Sequence, residues 1–139
     1  MPIFADARIP VAVVADEAAL AAGLPGKPAA ILAEAPPPVL PPGAVALASF
    51  DLYVPTHPSG CGCCGARSPV AVALDRLFLA RVKGDAPWFD RVLAFLPAED
   101  SRAALAAALR DDAVTVGRFR PDTPAAPVPP PYRFPPDEA

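Results

Sequence analysis

The chain has 139 residues, is 53% hydrophobic and carries a formal net charge of −3, enough apolar material for one compact domain with a real core. Its basic residues are scattered, which leaves no electrostatic footprint for nucleic acid. Asp6, Arg8, Asp16 and Glu17 interrupt the apolar sequence near the start, so neither a signal peptide nor a membrane span is expected. A cytoplasmic location is the default expectation, and it suits reduced thiols.

Ile9-Pro10-Val11-Ala12-Val13-Val14 is a continuously apolar run, as expected for a strand buried on both faces. Asp16 can cap a short helix through Ala22, with Gly23 ending it. Ala29 to Ala33 forms a second apolar run. Prolines 36, 37, 38, 41 and 42 then forbid regular structure and mark a surface connection. Val45 to Ala48 and Leu52-Tyr53-Val54 read as one bent strand or two short ones.

Next comes Gly60-Cys61-Gly62-Cys63-Cys64-Gly65, which holds all three cysteines of the chain. Thiolates are strong ligands for zinc and monovalent copper, and this spacing lets one loop present three sulfurs to one ion. The glycines give the backbone the freedom to fold back around it. Buried structural thiols, a disulfide between Cys61 and Cys64 or with a second chain, and a thiol redox site are the competing readings. Adjacent Cys63 and Cys64 are poorly placed to bond each other, and an iron–sulfur cluster normally takes four cysteines. His57 stands four residues before Cys61 and is either a fourth ligand or a solvent-facing loop histidine. Arg67 either lowers the thiol pKa or is solvated. Asp51, Asp90, Glu99 and Asp100 read as caps or surface charges, and they form no spaced acid/base pair.

Beyond the cysteines, Ser68 and Pro69 start a helix that runs to about Lys83 and stops at Gly84. Val70, Leu74, Leu77, Phe78 and Arg81 share one side, and Val72, Leu79 and Val82 form a second, so most of its surface is expected to be covered. Trp88 and Phe89 are expected to pack the entry to a central strand ending at Leu96. Ser101 is the expected cap of a further helix closed by Asp111-Asp112, with Val114-Thr115-Val116 as the last strand. Alternating strands and helices predict a three-layer α/β domain over residues 1–120 with a mostly parallel sheet. Functional loops in such sheets lie beyond the carboxyl ends of the strands, where the cysteine segment falls. Residues 121–139 are a proline-rich tail. Pro129-Pro130-Pro131-Tyr132 superficially matches a WW-domain ligand, but a semi-rigid arm, disordered or packed along its own domain through Tyr132 and Phe134, is the preferred reading.

The Ser59–Cys64 run, a following helix and Gly84-Asp85-Ala86-Pro87-Trp88-Phe89-Asp90-Arg91-Val92 together resemble the CobW-type metallochaperone GTPases. In that family a Gly-Cys-x-Cys-Cys motif precedes a long helix and a Gly-x-x-Pro-x-Phe-Asp-x-Val lead into a central strand. The likeness extends loosely over residues 8–118, giving a fold like a truncated P-loop GTPase domain. It implies that Cys61, Cys63 and Cys64 are metal ligands, usually for zinc, with one coordination position left for His57, water or a partner's donor. The departures are as informative. No Gly-x-x-x-x-Gly-Lys-Ser/Thr phosphate loop follows the first strand, no Asn-Lys-x-Asp motif is present, and the family's C-terminal domain is missing. The expectation is a nucleotide-free pseudo-GTPase in metal homeostasis, not an enzyme, partnered by a metal ion and by a metal-receiving or CobW-type protein. A non-catalytic interaction module is the alternative.

Overall fold

A computed structural model of the chain describes residues 6–53 and 67–122. The elements run β1 (Ile9–Val14), α1 (Glu17–Gly23), β2 (Ala29–Glu34), β3 (Ala44–Phe50), α2 (Pro69–Lys83), β4 (Arg91–Phe95), α3 (Glu99–Asp111), α4 (Ala113–Arg118) and β5 (Phe119–Pro121). The strands form one sheet in the order β3-β2-β4-β1-β5, and every pair is parallel.

Alternation along the central strands assigns their two faces. Val11, Ala30, Leu32, Val92 and Ala94 join Leu74, Leu77 and Leu105 in a core beneath α2 and α3. Ala29, Ile31, Ala33 and Leu93 pack with Leu20 of α1 on the other face. The result is a three-layer α/β fold. The proline-rich connection between β2 and β3 also lies on the α1 face, where Pro38, Val39 and Pro41 line a cavity with Leu20, Leu24 and Phe95. It takes the place of the helix that usually covers a parallel crossover.

The punctuation residues behave as their chemistry dictates. The Asp16 carboxylate accepts from the Ala19 amide at 2.7 Å, and Ser68 Oγ accepts from the Ala71 amide at 3.2 Å. Gly84 ends α2 at φ +81°, a left-handed angle that suits glycine. Arg91 donates to the carbonyls of Gly23, Leu24 and Lys27, satisfying acceptors left over where α1 ends.

Six local expectations are corrected. Val114-Thr115-Val116 is helical, because the Asp112 carboxylate accepts from the Thr115 amide at 3.0 Å and caps α4; the last strand is Phe119–Pro121. Pro121 is therefore a sheet residue. Helix α3 starts at Glu99, not after Ser101, which is buried in its first turn. There Glu34 accepts from the Ala98 amide, and Glu99 and Asp100 complement the helix dipole. Leu52 and Tyr53 form a turn and not a strand, since Asp51 accepts from the Tyr53 amide at 2.9 Å. The second apolar side of α2 is open, with Leu79 41% and Val82 59% exposed, because only one side of the helix meets the sheet. Phe89 is fully buried, but Trp88 is 59% exposed and lies under the Arg81 guanidinium at 3.6 Å.

Candidate functional site

His57, Cys61, Cys63 and Cys64 all lie outside the described residues. What the structure provides is the two stems of the segment that carries them, at the end of β3 and at the start of α2.

The entry stem is tied to the first turn of α3. Tyr53 donates its hydroxyl to the Asp100 carboxylate at 2.9 Å, which raises the phenol pKa above its ordinary value. A cavity of about 220 Å³ beside it is lined by Glu34, Phe50, Asp51 and Ser101 among others. The carboxylates there already have local donors: the Ala98 amide for Glu34, the Tyr53 amide for Asp51, and the Tyr53 hydroxyl for Asp100. They hold a helix start and a turn in place, as the sequence suggested for Asp51 and Asp100. Among the described residues, no group of three His, Cys, Asp or Glu side chains could hold a metal ion.

The exit stem is held by charge. Arg67 lies partly buried between Asp75 of α2 and Asp112 at the α3–α4 junction. It donates to Asp112 through Nε at 2.9 Å and Nη2 at 3.1 Å, and to both carboxylate oxygens of Asp75. Arg118 approaches Asp75 at 3.5 Å, so two cations face two anions. The pairing with Asp75 and then Asp112 raises the Arg67 pKa, and the Arg67 guanidinium holds the Asp112 carboxyl below its usual value. Arg67 is thus an ion-paired anchor and not a solvated side chain. Sequence reading misses this network because its members lie 8 and 45 residues apart with no periodic signal.

At β1, only Ala15 and Asp16 separate the strand from α1, and the Asp16 carboxylate occupies the amino end of that helix. The Ala19 amide there is met by a carboxylate of the chain itself, which places negative charge at that helix end.

No protein-family model, no curated protein and no solved structure matches this chain.

Proposed function

We propose that this chain is a small metal-binding protein that holds one zinc, or another thiophilic ion, on the thiolates of Cys61, Cys63 and Cys64. The observation that carries this reading is the donor set: three soft ligands within four positions, in the segment that joins β3 to the amino end of a 15-residue helix. A helix amino end favours thiolate over thiol, which supports metal uptake at neutral pH. Three thiolates on a divalent ion leave one tetrahedral position for His57, water or a donor from another molecule. The motif likeness to CobW-type metallochaperones supports a role in metal transfer or storage in the cytoplasm, with a metal-receiving or CobW-type protein as partner. Asp16 at the β1–α1 junction supports the accompanying reading that this relative binds no nucleotide and is not an enzyme.

A zinc titration of the reduced protein, read by thiol modification, tests the proposal. Saturation at about one equivalent should protect all three cysteines from alkylation. Unaltered thiol reactivity at saturating zinc would refute it.

One observation favours a second reading, a non-catalytic interaction module. Leu79, Val82 and Trp88 leave apolar surface exposed on and next to α2. Under that reading, binding to a protein partner survives replacement of all three cysteines, and under the metal reading metal-dependent behaviour is lost.

A further inference from the structure

We propose that the proline-rich segment after Asp122, residues 123–131, docks in cis into an apolar groove between β1 and α3. The groove has a volume of about 400 Å³, and its walls include Val11 and Val13 of β1 with Leu105 and Leu109 of α3. Pro121 and Asp122, the last two described residues, also line it, so the proline-rich segment is attached within the groove.

The sheet shows why a covering element belongs there. Ile9, Val11 and Val13 lie on one face of β1. The first two are 2% exposed, whereas Val13 is 46% exposed. Strand β5 pairs with Ile9, Pro10 and Val11 and goes no further. The Asp122 amide donates to the Val11 carbonyl at 2.9 Å. In a parallel ladder the next residue to donate to the same strand is two positions on, and that residue is Pro124, which has no N–H. The sequence therefore supplies no amide for that next bond, and Val13 is left uncovered by any described residue.

Residues 124–131 are chemically suited to the gap. Pro124, Pro127, Val128 and Pro129-Pro130-Pro131 favour an extended polyproline conformation with an apolar surface and no internal hydrogen bonds. At ~3.1 Å per residue, the eight residues 124–131 span about 25 Å when fully extended in this form, several times the ~6 Å between Leu105 and Leu109 along their helix. Arg102 and Arg110 also line the groove, Arg102 held by the Leu96 and Pro97 carbonyls and Arg110 by the Asp111 carboxylate, so the rim is polar around an apolar floor. Direct attachment gives an effective concentration on the order of millimolar, so a weak apolar contact suffices for occupancy. None of these contacts involves the cysteine segment.

The test is NMR on the full chain. The expected result is cross-relaxation between Val128 methyl or proline ring protons and the methyls of Val13, Leu105 and Leu109, independent of protein concentration. In Val13→Asp, those contacts should vanish and the 123–131 shifts should move to random-coil values. Leu109→Glu serves the same purpose, with amide dispersion reporting that either variant is folded. The proposal is overturned by random-coil shifts in the unaltered chain, by contacts to Leu79, Val82 or Trp88 instead, or by contacts that appear only between differently labelled chains at high concentration.

Discussion

Replacing Cys61, Cys63 and Cys64 together by serine is expected to weaken zinc binding at least about a thousandfold, which is roughly 4 kcal/mol. That loss is conservative against the ~10–16 kcal/mol that structural thiolate sites contribute on binding zinc. A serine hydroxyl stays protonated near neutral pH and offers no comparable ligand, so the effect is chemical and not steric. Far-UV circular dichroism of the variant and the parent, compared side by side, separates loss of the ligands from loss of the fold. His57→Ala resolves the fourth position: a loss of tenfold or more assigns it to His57, and an unchanged affinity assigns it to water or another molecule. A triple variant that binds zinc as tightly as the parent would show that the cysteines are not the ligands.

Arg67→Ala is expected to destabilise the domain by about 2–3 kcal/mol, lowering its melting temperature by roughly 10 °C. The substitution leaves Asp75 and Asp112 facing each other's charge in a partly buried setting. Arg118 remains near Asp75 at 3.5 Å, and these groups keep some solvent access, which keeps the loss below that of a fully buried pair. The pH dependence comes from the sign of the Asp112 shift. Its folded pKa is depressed by Arg67, so the contribution is present above the ordinary carboxylate range of about 4 and is lost as pH falls through the folded value. Chemical denaturation across the acid range, from about pH 2 to neutrality, should show this loss in the parent and a flatter profile in Arg67→Ala. Arg67→Lys keeps the charge without the forked geometry and should recover only part of the stability. Equal stability of parent and Arg67→Ala at neutral pH would show that the stem is not anchored this way.

The elements that are readable from sequence share a physical cause. Strands β2 and β4 are buried largely on both faces and so appear as unbroken apolar runs; β1 is an equally apolar run, but only Ile9 and Val11 in it are buried, so the run marks the strand and overstates its burial. Asp16, Ser68 and Gly84 mark helix ends through their own side-chain or backbone chemistry. Sequence and structure part where tertiary or capping interactions outweigh local preference. Val114-Thr115-Val116 has the β-branched composition of a strand, but the Asp112 carboxylate makes it a helix. Glu34 meets the Ala98 amide from 64 residues away, a contact no local window can contain, and Ala98 is where α3 starts. The open side of α2 escapes sequence reading for a related reason, since apolar periodicity shows which residues could be covered but not whether a neighbour is present to cover them.

The candidate site divides along the same line. The identity of its donors is legible because cysteine chemistry is specific, and the segment's place between β3 and α2 is given by element order. The supports at either end, Tyr53 on Asp100 and Arg67 between Asp75 and Asp112, depend on side chains that only the fold brings together.

The most direct measurement is elemental analysis of the protein purified without a metal-binding tag, combined with X-ray absorption at the edge of the bound element. Thiolate coordination by the three cysteines predicts about one zinc or other thiophilic ion per chain, with sulfur neighbours at ~2.3 Å where that ion is zinc. Metal-free protein that takes up no zinc on dialysis and keeps three freely reactive thiols would contradict it.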